Sequence, residues 1–162
     1  MHITVITGST SGIGLEVAKS LAKKNHYLIL VSRNLKKLEY TRDLIKKENE
    51  TKCEIYQHDL SLIQDNILFY KNISKKFKNI DYLINNVGAI YMKRQETIEG
   101  LEKTFSLNHM SYFILSKLFS KQEKPIKIIN VSSEAHRNIN LDNEDLQNKK
   151  NYNGWYAYKK SN

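Results

Sequence analysis

The chain has 162 residues, 40% hydrophobic and 27% charged, with a formal net charge of +9 and one cysteine, Cys53. That length suits one domain burying about 68–70% of the surface its unfolded chain exposes, and a single cysteine excludes an internal disulfide and suits a reducing, cytoplasmic setting. The basic residues are mostly scattered lysine pairs without an arginine–aromatic cluster, a solvated surface with no nucleic acid expected, and no apolar run nears the ~18 residues of a membrane span.

The first predicted element is the strand "ITVIT" (3–7), rich in β-branched residues. The "HITVI" opening reads as this strand, not as a signal peptide or membrane anchor. The strand runs into "TGSTSGIG" (7–14) and a helix over 13–24, with Ile13, Val17, Ala18 and Leu21 on one face. "YLILVS" (27–32), closed by "RN" (33–34), is the second strand, followed by a helix over 35–48. "CEIYQ" (53–57) and "HDL" (58–60) precede a helix over 61–77; "DYLINN" (81–86), leading into "NNVG" (85–88), precedes one over 98–121. "IKIINVSS" (126–133) is the fifth strand, and the polar segment 137–154 reads as a long loop over the carboxyl edge of the sheet. Structureless loops of that length in compact domains are usually functional. Strands alternating with helices predict a parallel sheet covered on both faces, with right-handed crossovers. The fold class is therefore α/β: a doubly wound, three-layer α/β/α Rossmann sheet in a single domain, 1–162.

Three of the six glycines fall between the first strand and the first helix, as Gly8-x3-Gly12-x-Gly14. Gly8 permits the tight turn, Gly12 leaves room for a pyrophosphate beside the backbone, and Gly14 lets the helix pack closely on the sheet. The helix beginning near Ile13 points its free N–H groups and positive dipole end at the phosphates, and Ser9, Thr10 and Ser11 add hydroxyl donors. A merely tight structural loop is the bland alternative. At the end of the second strand, Arg33 and Asn34 stand where an acid would select NAD. A guanidinium fork suits a 2′-phosphate, so NADP (NADPH) is favoured over NAD. Arg33 stacking on adenine without discriminating is the other reading.

The glycine spacing and the later motifs, "HDL", "NNVG", "GLEKTFSLNH" (100–109) and "INVSSEAH" (129–136), resemble the short-chain dehydrogenase/reductase family. The last two are most similar to its retinol-dehydrogenase-like branch. Nucleotide-sugar epimerases, with two residues rather than three between the first glycines, fit less well. The resemblance implies hydride transfer between a nicotinamide and a small hydrophobic alcohol or carbonyl, with a homo-oligomer allowed and no metal. It places Asp59 and Leu60 beside the adenine and Asn86 and Gly88 beside the nicotinamide ribose. Asn85 is either another site residue or a tie between strands.

By the same resemblance, Ser133 holds the substrate oxygen and Asn108 supports a proton relay, while Ser132 packs inward and His109 is a packing residue. The acid/base tyrosine has two registers. "AYxxSK" aligns Ala157, Tyr158 and Ser161 but puts Asn162 where the family has lysine; the literal Tyr-x3-Lys pattern is met by Tyr156 and Lys160. The two tyrosines lie about 200° apart on a helix, so only one can face the nicotinamide. The lysine matters because a tyrosine with an ordinary pKa near 10 is a poor proton shuttle at neutrality. Family members also continue past this point, so the sheet is expected to lack the last strands. A truncated, inactive remnant that binds nucleotide or a protein partner is the second hypothesis.

Overall fold

The computed structural model describes residues 1–162. Five parallel strands, β1 (Ile3–Thr7), β2 (Tyr27–Ser32), β3 (Cys53–Gln57), β4 (Tyr82–Asn85) and β5 (Lys127–Asn130), lie in the order β3-β2-β1-β4-β5. Helices α1 (Gly12–Lys23), α2 (Leu35–Glu48), α3 (Ile63–Lys76), α4 (Lys103–Phe105), α5 (Ser111–Phe119) and α6 (Gly154–Ser161) complete the chain. Strands β1, β2 and β4 read as near-continuous apolar runs because both faces are covered, whereas the edge strand β5 is largely exposed. Val5, Ile29 and Leu83 pack with Phe69 and Ile73 of α3 and Leu115 and Phe119 of α5. Their neighbours Ile6, Leu28, Leu30 and Ile84 pack on the other face with Ala18, Ala22, Leu38 and Ile45 of α1 and α2. This is the doubly wound Rossmann fold expected.

The expected helix over 98–121 is broken up. Gly100 sits at φ +78° and closes a turn in which Gly100 N–H donates to Thr97 O (2.9 Å). The helix starts only at Lys103, where the buried Glu102 carboxylate accepts from Thr104 N (2.8 Å) and Phe105 N (2.7 Å). An acid is favourable there because the helix N-terminus is electropositive. Between α4 and α5 the chain winds as a π-helical turn, Ser106–Met110, centred on Asn108; such turns are frequent at functional sites. The fifth strand is also shorter than expected, since its one partner, β4, ends at Asn85. The 137–154 segment is a loop up to α6, tied by Lys160 Nζ donating to Asp145 O (2.7 Å) and Asn148 Oδ1 (3.2 Å).

At the opposite, amino end of the sheet, His2, His26 and Tyr82 cluster ring to ring, and His26 Nδ1 bonds the Thr4 hydroxyl at 2.8 Å. Burial, and then the neighbouring His2, hold His26 below its ordinary pKa of 6.5. The fold therefore resists charging this ring: its contribution to stability is full above pH 6.5 and is lost as pH falls below it. Thermal melts should lose Tm between pH 7 and 5, and His26→Gln should flatten that loss. An unchanged slope would remove His26 as its cause.

Candidate active site

Beta-alpha loops gather at the carboxyl end of the sheet, where β1 and β4 lead chains to opposite sides, the usual ligand crevice of an open parallel sheet. A cleft of about 670 Å³ opens there. Its floor begins at Gly8, which leaves β1 at φ +65°; a Cβ on it would stand 2.8 Å from Val87 Cα. Gly14 is tighter still, a Cβ meeting Gly8 O at 2.4 Å and Asn86 Nδ2 at 2.5 Å. Gly12, at φ +53°, faces open space with nothing within 4 Å. No side chain caps α1 at Ser11 and no acid stands in its first turn, so its positive end is uncompensated.

Thr10, Ser11 and Ile13 line the cleft with Gly8, whereas Ser9, Gly12 and Gly14 do not. Ser9 is fully buried, its hydroxyl without a partner. From the end of β2 come Ser32, Arg33, Asn34 and Lys37. Arg33 is exposed, its Nη1 3.4 Å from the Tyr91 hydroxyl, and Asn34 caps α2 by accepting from Lys37 N at 3.0 Å. Lys37, not anticipated from the sequence, faces the same space; helical spacing from Asn34 was the available signal. His58, Asp59 and Leu60 follow β3 into the cleft. The Asp59 carboxylate accepts from Ser61 N (3.0 Å) and Ser61 Oγ (2.7 Å).

Asn86 lines the cleft, and its Nδ2 donates to Thr7 O (3.1 Å) and Gly8 O (3.2 Å), clasping the glycine loop. Asn85 ties strands, with Nδ2 on Asn130 Oδ1 of β5 at 2.8 Å and on Ser116 Oγ at 3.1 Å. Gly88 and Ala89 continue the wall. Asn108, at the centre of the π-helical turn, accepts from Ala89 N (3.0 Å) and donates to Ala89 O (3.0 Å) and Ser161 Oγ (3.0 Å). Its amide thus makes three hydrogen bonds, both N–H donors used, bridging the segment after β4 to α6. His109 is exposed and stacks on Phe105 with centroids 5.3 Å apart.

Ser133 and Tyr158 both line the cleft, together with Tyr112, Ser132 and Asn162. Ser133 Oγ accepts from Ala135 N at 3.2 Å, which leaves its own O–H to donate. Ser132 is exposed and lines the cleft, rather than packing inward as expected: the edge strand β5 ends at Asn130, and the Ser132 hydroxyl lies 3.5 Å from Asn162 O at the end of α6. Asn162 Nδ2 donates to Tyr158 O at 2.6 Å. Tyr156 and Lys160 do not line the cleft. The Tyr156 hydroxyl donates to Asn140 O (2.9 Å), and Lys160 holds the 145–148 turn with its Nζ 5.6 Å from the Tyr156 ring centre.

A glycine-loop crevice at the switch point of a parallel sheet defines a dinucleotide-binding fold. The family model for short chain dehydrogenases matches residues 2–141, and the chain belongs to the short-chain dehydrogenase/reductase family, a family of oxidoreductases. Among curated relatives, the WW domain-containing oxidoreductase of Drosophila melanogaster is 36% identical over 146 residues, covering 88% of this chain and 36% of its own length. Retinol dehydrogenase 11 of Homo sapiens is 33% identical over 164 residues, covering 96% and 50% respectively. The chain thus spans half or less of the length of these two relatives. A protein from Mycobacterium Paratuberculosis superposes with TM-score 0.86 at 27% identity, over 99% of this chain and 57% of that one. A short-chain dehydrogenase from Sphingobium yanoikuyae in complex with NADPH does so with TM-score 0.78 at 24% identity, over 99% and 60%. No helix is long and apolar enough to cross a membrane.

Proposed function

We propose that the chain is an NADP(H)-dependent oxidoreductase acting on a small hydrophobic alcohol or carbonyl, with Tyr158 and Ser133 as its catalytic residues. One observation carries this reading: Ser133 and Tyr158 face the same cleft as the glycine loop and Arg33, whereas Tyr156 and Lys160 are spent on a loop. Bound NADPH would supply the hydride. Gly8, Ser11, Ile13 and the bare N-terminus of α1 would hold its pyrophosphate, with Gly12 leaving the approach open. Asp59 and Leu60 would border the adenine, and Asn86 and Gly88 the ribose on the nicotinamide side. Ser133 donates its free O–H to the substrate carbonyl oxygen, and Tyr158 delivers the proton to that oxygen. Asn108 is a positioning residue, fastening the helix that carries Tyr158.

Arg33 and Lys37 give the adenosine end two cations and no acid at 32–34, which supports NADP over NAD. A charged hydrogen bond is worth about 1.5–3 kcal/mol. Arg33→Asp should therefore weaken NADPH binding by about 10–100-fold while NADH binding changes much less, read by cofactor fluorescence titration. Parallel losses would mean that Arg33 does not discriminate.

Cys53 takes no part: it is buried away from the cleft, and burial pushes its thiol up to about 11. Assaying NADPH oxidation against hydrophobic aldehydes and ketones tests the whole reading, and turnover lost in Tyr158→Phe but not Tyr156→Phe is expected. A second reading, cofactor binding without turnover, is favoured by the uncharged Asn162 four residues after Tyr158. Tight NADPH binding with no oxidation of any substrate would select it.

A further inference from the structure

The start of α6 is stapled onto the segment after β4. The Tyr152 hydroxyl donates to Tyr91 O at 2.6 Å, and Asn153 caps the helix by accepting from Tyr156 N at 2.9 Å. Gly154 sits so close that a Cβ would lie 2.5 Å from Tyr91 O and 2.6 Å from Met92 Cα. This approach brings large apolar side chains to one rim of the cleft. Ile90, itself lining the cleft, is 40% exposed, Met92 71% and Trp155 51%. The Trp155 ring stacks on that of Tyr158, centroids 5.6 Å apart and planes 26° from parallel.

We propose, resting on the oxidoreductase reading above, that Trp155 with Ile90 and Met92 is the selectivity wall of the site. It takes the flat apolar arm, aryl or conjugated, of a carbonyl compound whose oxygen lies between Ser133 and Tyr158. The rim is continuous with the cleft through Ile90 and Tyr158, so an arm laid on it leaves its carbonyl near the tyrosine hydroxyl. An indole offers a rigid apolar plane with few rotors to freeze, and aromatic pairs gain beyond their buried area. The neighbouring 137–154 loop is mostly polar, with Leu141 and Leu146 its exposed large apolar side chains. Small or charged carbonyl compounds gain nothing from the rim.

Trp155 is the chain's only tryptophan, so its emission reports on this wall alone. Protein saturated with NADP⁺ is titrated with 2-acetylnaphthalene and with cyclohexanone, by tryptophan emission and by calorimetry, beside Trp155→Ala and Trp155→Phe. NADPH affinity is measured separately for all three. The naphthyl ketone should quench Trp155, lose about tenfold or more in affinity in Trp155→Ala and keep most of it in Trp155→Phe. Cyclohexanone should lose far less, and NADPH affinity should not change. Equal naphthyl-ketone affinity in Trp155→Ala and parent, or unmoved emission, overturns the wall while the oxidoreductase reading stands. Loss of NADPH binding confined to Trp155→Ala overturns it as a local contact. No NADPH binding by the parent overturns both.

Discussion

Asn162→Lys should raise NADPH-dependent carbonyl reduction by about 10²-fold or more over the parent, the span a well-placed acid/base supplies. Asn162 lines the cleft four residues after Tyr158, and its amide is spent on the Tyr158 carbonyl at 2.6 Å. A lysine stem reaches past that carbonyl and brings an ammonium toward the cleft. There it stabilises the negative charge that develops as the tyrosine gives up its proton, and its three donors suit ribose hydroxyls. NADPH affinity should rise together with turnover. Adding Tyr158→Phe to this variant should return the rate to background, while adding Tyr156→Phe should leave the gain standing, because the Tyr156 hydroxyl bonds Asn140 outside the cleft. NADPH absorbance with a panel of hydrophobic aldehydes and ketones decides it. Tight cofactor binding with no gain would sink the assignment of position 162, and loss of the gain in the Tyr156→Phe double variant would transfer the chemistry to Tyr156 and Lys160.

The strands were legible because a sheet buried on both faces writes itself as short β-branched runs; Val5 and Ile6 serve opposite cores, and both had to be apolar. The glycine loop was legible for a related reason, since close approach and left-handed turns leave glycine as the residue that fits. The interruption of the long helix was harder to read. Its apolar spacing extends upstream, and what stops it is Gly100 in a left-handed turn and a buried glutamate cap, both outweighing periodicity. The π-helical turn is five residues long, too short for its shift of the helical phase to be read from spacing. The tyrosine register was ambiguous in sequence because Tyr156 and Tyr158 both sit on α6; the staple at Tyr152 and Gly154, made with residues sixty positions earlier, determines which of them turns to the cleft. Such long-range contacts have no local signature. The same holds for Trp155, which by sequence alone is one aromatic among several.

Gly12→Val and Gly14→Ala should fail in opposite ways. A side chain at position 12 meets nothing within 4 Å, so the fold has room for it, and the cost is the φ of +53°, on the order of 1–3 kcal/mol for a residue held in that region. Against the ~5–15 kcal/mol of an ordinary domain, Gly12→Val should stay folded with a lowered Tm. Its isopropyl group would occupy the open space at the head of α1 that a pyrophosphate needs, so NADPH affinity should fall by about 10²-fold or more, corresponding to ~2.7 kcal/mol. At position 14 even a methyl group would lie 2.4 Å from Gly8 O and 2.5 Å from Asn86 Nδ2. Neither is the end of a flexible side chain: one is backbone, and the other is fixed by bonds to Thr7 O and Gly8 O. The helix must move off the sheet or the Asn86 clasp must break, at the ~1–3 kcal/mol or more of overpacking, so Gly14→Ala should lose more stability than its single methyl suggests. Urea denaturation and NADPH titration of both variants beside the parent separate the two effects. A Gly12→Val protein that binds NADPH like the parent would remove the phosphate from the head of α1; a Gly14→Ala protein as stable as the parent would show that α1 can stand off the glycine loop at no cost.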